Sequence, residues 1–271
     1  MIPSLEPAMT FPSVTVLTSA PASVVAIERG IVDVWSCSLQ ASPDLLALCR
    51  AWLSEDERAR AARFIRSEDQ VHFALAHGGL RAVLARYLAV EPATLRFQLG
   101  LTGKPALLER AHAGDDLHFN LCHSHGRMLV AVAHGREVGI DLEQVRENVD
   151  VLKLAERFYT AAEYEWMKSH ALSEHALQFY RLWVGKEALL KGQGAGIPSL
   201  QQCGIDTSAD SSRADVRLIP DSTLQQGWTI QWLNCGDGWQ GAVSAFGGDW
   251  SIRVLDGGTS EPIRTSAVRA F

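Results

Sequence analysis

Asp141 and Glu143 stand two residues apart in VGIDLE, residues 138–143. On an extended strand, residues two apart point the same way, so both carboxylates leave one face while Ile140 and Leu142 turn to a core. Two carboxylates that close repel unless a cation lies between them, and a hard cation with oxygen ligands, Mg2+ first, explains the pair most simply. A solvated acidic strand end would carry the same residues. Further along, FYRLWVGKEALLKGQG places Glu187 and Lys191 four apart, on one helical face, with Trp183 four before Glu187. FYRLW is too apolar for an exposed helix, which puts Glu187 near a buried rim. There it reads as a third metal ligand with a phosphate-binding cation beside it. The plain alternative is a surface Glu–Lys pair above a core tryptophan.

A third stretch, NLCHSHGR, sits at the turn between two alternating segments. His118, His123 and His125 raise the question of zinc, but no nearby Cys/His pair completes a tetrahedral set. Cys122 beside His123 raises that of a thiol nucleophile, but adjacent strand residues face opposite ways. A histidine and small polar residues at a turn fit phosphate contacts better. TGKPAL adds Lys104, an exposed cation on a stiff glycine–proline turn.

The elements that must hold these residues belong to an ordinary globular chain. Its 271 residues are 47% hydrophobic and 21% charged, enough for a sizeable core in one large domain or two. A net charge of −6 gives no global field for nucleic acid or an anionic membrane, although a local basic groove for one phosphorylated ligand stays possible. Five scattered cysteines without a CxxC pair argue against a disulfide framework or a zinc knuckle. The N-terminus lacks the pattern of a signal peptide, and no apolar run approaches ~18 residues, so a cytoplasmic chain with no membrane partner is expected.

The middle of the chain reads as an internal duplication. Capping boxes begin at Ser54/Glu57 and at Thr160/Glu163, 106 residues apart at both positions. The same offset carries VDVWSC onto VGIDLE, Phe73 onto Phe179 and Arg81 onto Glu187. Each half then ends in a strand-like pair. The expectation is an α+β pseudo-dimer of two similar lobes, residues 31–137 and 138–255, with the ligand in the cleft between them. Residues 1–30 form a loose leader and 256–271 a tail. A chain that supplies its own cleft is expected to be a monomer. The offset also sets Arg81 opposite Glu187, both facing that cleft.

GKPAL, FNLCHSHGRMLVAVA, VGIDLE and FYRLWVGKEALLKGQGAG occur in the order and spacing of the 4′-phosphopantetheinyl transferase superfamily. The chain resembles the long, two-lobed surfactin-synthetase-activating type over roughly residues 50–245. That resemblance implies coenzyme A as co-substrate and Mg2+ in the cleft. It implies transfer of the phosphopantetheine arm to a serine of an apo acyl, aryl or peptidyl carrier protein, with release of adenosine 3′,5′-bisphosphate. Asp141, Glu143 and Glu187 then resemble the acidic trio at Mg2+, and Lys191 the lysine at the pyrophosphate. Lys186 stands in the family's K-E pair, His123 near the 3′-phosphate, and Lys104 in the G-K-P turn. Arg58, Arg60 and Arg63 lie where basic residues are frequent.

The chain departs from the family pattern at three points. Cys122 takes the place of a hydroxyl that contacts coenzyme A. Gly185 costs about 1 kcal/mol of helix propensity. The first-lobe cations are arginines rather than lysines. In the reaction so implied, Lys191 stabilises charge that develops on the leaving group, and Glu187 is the candidate base for the serine hydroxyl. The helix near residues 153–170 and the join between the lobes are expected to dock the carrier.

Overall fold

The stretch VDVWSC lies in strand β1 (Ile31–Ser38), which three helices follow: α1 (Pro43–Trp52), α2 (Glu55–Ala61) and α3 (Ser67–Leu88). A short ribbon, β2 (Phe97–Leu99) and β3 (Pro105–Leu107), leads to the hairpin β4 (Leu117–Ser124) and β5 (Arg127–His134). The second half repeats the plan. Strand β6 (Val138–Gln144) precedes α4 (Val151–Phe158), α5 (Ala161–Lys168) and α6 (His175–Gln193). Strands β7 (Cys203–Ile205), β8 (Arg213–Leu218), β9 (Trp228–Leu233), β10 (Trp239–Phe246), β11 (Ser251–Leu255) and β12 (Ile263–Arg264) complete the order. This computed structural model describes residues 8–12, 25–108, 116–206 and 212–255, with the backbone of 263–264.

The fold is α+β, and its two sheets carry the internal repeat. One sheet has the order β12-β11-β1-β5-β4, the other β6-β10-β9-β8-β7. In each, the second strand of a hairpin lies antiparallel between the half's first strand and its hairpin partner. The helices repeat too. Ser54 and Thr160 both accept a hydrogen bond from the backbone nitrogen three residues on, and Glu57 and Glu163 both reach back to the cap.

Alternation along the strands decides the layers. Val32, Val34, Leu129 and Ala131 of the first sheet pack against Ile140, Leu142, Val243 and Ala245 of the second. On its outer face the first sheet meets α3 through Leu75, Leu80 and Val83. The second meets α6 through Leu182, Val184 and Ala188. Strands β4 and β6 end their respective sheets and lie side by side, and the Ile140 nitrogen donates to the Asn120 side-chain oxygen (3.0 Å) across the seam.

Two boundaries differ from the expectation. Strand β11 leaves the second lobe and pairs in parallel with β1, because buried Asp33 holds the Arg253 guanidinium at 2.6 and 2.7 Å and also accepts from the Tyr87 hydroxyl at 2.7 Å. The first thirty residues are not all loose either. The Met9 nitrogen donates to Asn234, Thr10 and Pro12 accept from Ser36 and Ser38 of β1, and the Val25 nitrogen donates to Arg86. The tail beyond 255 lies outside the described residues, apart from the backbone of β12.

Glycines let α6 touch the acidic strand. A Cβ on Gly139 would lie 2.0 Å from the Ala188 carbonyl oxygen and 2.3 Å from the Gly192 nitrogen. One on Gly192 would lie 2.4 Å from the Trp228 ring. Gly185, costly by propensity, likewise faces the sheet, where a Cβ would meet the Ile205 side chain at 2.8 Å. Close helix–sheet packing offsets its propensity cost.

Candidate active site

Strand β6 sends Ile140 and Leu142 into the core between the sheets and turns Asp141 and Glu143 the other way. Helix α6, brought in by the glycine contact, sets Lys191 against this second face. The Lys191 Nζ donates to Asp141 Oδ1 at 2.5 Å. Asp141 is only 3% exposed, and its other oxygen, Oδ2, is buried without a hydrogen-bond partner. A buried carboxylate oxygen left unpaired is costly, so this one marks a place made for a donor or a cation.

Charge at the three acids points the same way. Burial, then the Asp141 and Glu143 charges, push the Glu187 carboxyl up to about 7. Burial and Asp141 also raise Glu143. Burial opposes the Lys191 charge, but Asp141 and Glu187 outweigh it and hold the ammonium above the ordinary lysine range. A third of the Lys191 side chain is open to water, and its direct contact with Asp141 is what holds the ammonium there. Three carboxylates share one ammonium, and the acids are short of positive charge. Among the described residues, no three His, Cys, Asp or Glu side chains are gathered tightly enough to form a ready ion site.

The turn between β4 and β5 closes over these acids. The Ser124 hydroxyl donates to Glu143 Oε2 at 2.9 Å. His123 projects to the opposite side of β4. Its residue surface is exposed, but its ring lies among neighbouring groups, and desolvation first, then the nearby His77, Lys191 and His72, lower its pKa. Beside the β4–β5 turn, a Cβ on Gly126 would lie 3.9 Å from His72 Nε2. His77 Nδ1 meets Glu57 Oε1 at 3.2 Å, and its ring stacks on Phe73 at 3.9 Å. Three imidazoles thus gather near this turn, with Lys191 and the acids on the neighbouring face.

Several expected contacts fall elsewhere. Lys186 is fully buried, its ammonium on Glu163 Oε2 at 2.6 Å and over the Tyr159 ring. Arg81, expected to face Glu187 across the cleft, is 1% exposed. Its guanidinium donates to Glu57 and to the Pro92 and Leu95 carbonyls. The repeat therefore equates Arg81 with Lys186 in role, since each neutralises the glutamate of a capping box. Cys122 shares the Asn120 and Ser124 face of β4 and is buried between the sheets, where desolvation raises its thiol well above the usual range. It presents no thiol to a ligand.

Lys104 is engaged by Glu137 Oε2 and the Gly192 carbonyl, both at 2.6 Å, and caps the C-terminal end of α6. Arg58, Arg60 and Arg63 are exposed. Arg58 turns back to the Leu53 carbonyl, and Arg60 lies 5.6 Å above the Phe73 ring. The sequence reading missed Ser124, His72 and His77. Ser124 had a signal, its two-residue spacing from Cys122 on a strand that also carries Asn120. The two α3 histidines had none, because only packing brings that helix to the turn.

Lys186 gives the first test of these placements. Lys186→Met should leave Glu163 charged and uncompensated at 2% exposure, at a cost of about 3–5 kcal/mol in urea unfolding. Coenzyme A affinity of the folded protein should not change. Normal stability with lost affinity would return Lys186 to the ligand site.

The comparisons agree on one family. A model of the 4′-phosphopantetheinyl transferase superfamily matches residues 137–243, which span β6, α6 and β10. The 4′-phosphopantetheinyl transferase HetI of Nostoc sp. is 36% identical over 219 residues, covering 81% of this chain and 89% of that protein. A putative 4′-phosphopantetheinyl transferase of Synechocystis sp. is 33% identical over 199 residues, 73% of this chain and 78% of its own length. The 4′-phosphopantetheinyl transferase Sfp of Bacillus subtilis is 29% identical over 147 residues, 54% of this chain and 62% of that one.

Proposed function

The chain belongs to the 4′-phosphopantetheinyl transferase superfamily, and from that premise we propose that it moves the phosphopantetheine arm of coenzyme A to a serine of an apo carrier protein, releasing adenosine 3′,5′-bisphosphate. The observation that carries this reading is the acid cluster at Lys191, with an Asp141 oxygen buried and unpartnered. That oxygen and the crowded carboxylates have the chemistry a divalent cation takes, and Asp141, Glu143 and Glu187 would hold it by drawing together around it, with Mg2+ as the metal. When bound, Mg2+ supplies positive charge to the pyrophosphate that is cleaved.

The chain's own groups do the rest. Lys191 carries three N–H donors, of which one is on Asp141, so the others remain for the oxygens of the leaving phosphate. Charge there grows as the pyrophosphate bond breaks, so those donors act most strongly in the transition state. Glu187, buried beside Asp141 and Glu143 on the face that holds Lys191, is the candidate base that accepts the serine proton. His123, beside the His72 and His77 rings, offers an imidazole N–H to the 3′-phosphate of the nucleotide. Helices α4 and α5 (151–168) present the surface for the carrier. No helix of the described residues is long and apolar enough to cross a membrane. The proposed enzyme meets its carriers in the cytoplasm, as a monomer.

Mass spectrometry of apo acyl, aryl and peptidyl carriers, after incubation with protein, coenzyme A and Mg2+, tests the reading. At least one class should gain the mass of a single phosphopantetheine group. Tight coenzyme A binding with no gain on any carrier would identify a silent coenzyme A-binding module instead.

A further inference from the structure

The turn that closes over Glu143 has an unusual backbone. Ser124 pairs with Arg127, so His125 and Gly126 form a two-residue hairpin loop, with φ of 44° and 77°. Positive φ at both positions is the primed turn that fits the twist of antiparallel strands. Glycine or asparagine adopts it readily, whereas histidine does so at a cost that surrounding contacts must offset.

Those contacts run in a line from solvent to the acid. His125 Nδ1 lies 2.9 Å from the Ser124 oxygen, and the Ser124 oxygen lies 2.9 Å from Glu143 Oε2. A hydroxyl has one proton to give. With that proton on the Glu143 carboxylate, the Ser124 oxygen must accept from His125, which sets the protonated nitrogen of the imidazole at Nδ1. The ring is fixed from outside as well. The edge of Trp239 meets it at 6.4 Å, and Trp239 is stacked by the Arg127 guanidinium at 4.2 Å. Arg127 is itself held, with the Phe11 ring also within 4.4 Å of its guanidinium and the Cys235 carbonyl accepting at 2.9 Å. The N-terminal segment 8–12 therefore braces the turn.

We propose that Ser124, oriented by His125, is a positioning residue that holds Glu143 in the rotamer it needs as a cation ligand. The inference rests on the function proposed above. A hydrogen bond from a neighbour to a ligating carboxylate restricts its swing, and loss of such a partner typically weakens metal binding by roughly 10–100-fold. Neither Ser124 nor His125 needs to touch coenzyme A or the carrier for this. Among the described residues, their side chains hydrogen-bond to each other and to Glu143.

The test uses the full chain with coenzyme A and follows free Mn2+ by electron paramagnetic resonance during titration. Ser124→Ala should bind Mn2+ about tenfold or more weakly than wild type. It should also need correspondingly more Mg2+ for half-maximal transfer, with turnover at saturating Mg2+ within a few-fold of normal. Ser124→Thr, which keeps the hydroxyl, should retain wild-type Mn2+ affinity. In chelator all three should remain folded, with Ser124→Ala melting slightly lower because the hydrogen bonds that help offset the strained turn are gone. Wild-type Mn2+ affinity in Ser124→Ala overturns the positioning role while leaving the function intact. A wild-type protein that binds no Mn2+ overturns the metal assignment and this inference with it.

Discussion

Asp141→Ala should leave a folded protein whose transfer rate at saturating coenzyme A and Mg2+ is lower by at least about 10²-fold, the size of effect expected when charge stabilisation of several kcal/mol is lost. The side chain is buried, but it faces the acids and Lys191 rather than the apolar core between the sheets, so its removal opens no hydrophobic cavity. It also removes the unpartnered Oδ2, itself an unfavourable group in the metal-free protein. Lys191 loses its partner but has a third of its side chain in water, so it is not stranded. The stability change should therefore be small beside the change in rate. A rate within a few-fold of wild type would sink the assignment of Asp141 to the cation.

Glu187→Gln should produce the second large effect, a fall in rate on the order of 10²-fold, the usual scale for loss of a general base. The same substitution should raise stability under the opposite conditions. Burial, then Asp141 and Glu143, hold this carboxyl at about 7 in the folded protein, against 4.5 for an ordinary glutamate. The folded state thus prefers the protonated acid. The stability it contributes is complete below the unfolded value and is lost as pH rises through about 7. Glutamine cannot ionise. In chelator, Glu187→Gln should melt above wild type at pH 8, and the gap should close toward pH 5. Equal melting at both values would mean that the carboxyl is not held up by its neighbours. Excess Mg2+ separates two duties in the rate: a defect in metal binding recovers, and a missing base does not. Incomplete recovery is expected. A rate unchanged at any Mg2+ would remove Glu187 from the site altogether.

A substitution expected to stabilise the protein while it slows turnover is a familiar consequence of assembling like charges for chemistry. The acids here repel one another in the absence of a cation, and burial strengthens the repulsion. Lys191 offsets part of it through Asp141, and the buried pairs Glu57–Arg81 and Glu163–Lys186 keep the helices that flank the site in place.

The acidic pair, its core-facing neighbours and the Glu187–Lys191 face were legible in the sequence because their geometry is local. A strand turns over every two residues and a helix every 3.6, so Asp141 with Glu143, and Glu187 with Lys191, follow from spacing alone. The capping boxes and the repeated strand–helix–hairpin order were legible for the same reason, and they led to an α+β pair of similar halves. Which lysine reaches the acids was not. Lys186 and Lys191 flank one glutamate on one helix. Only the docking of α6 on β6, through Gly139 and Gly192, sends Lys191 to Asp141 and leaves Lys186 to Glu163. Ser124 on Glu143, Arg81 on Glu57, the three histidines around one turn and the return of β11 to β1 join residues far apart in the chain. Periodicity says which face a side chain occupies, but the partner across that face is chosen by how closely two backbones can pack and by which buried charges must be neutralised there.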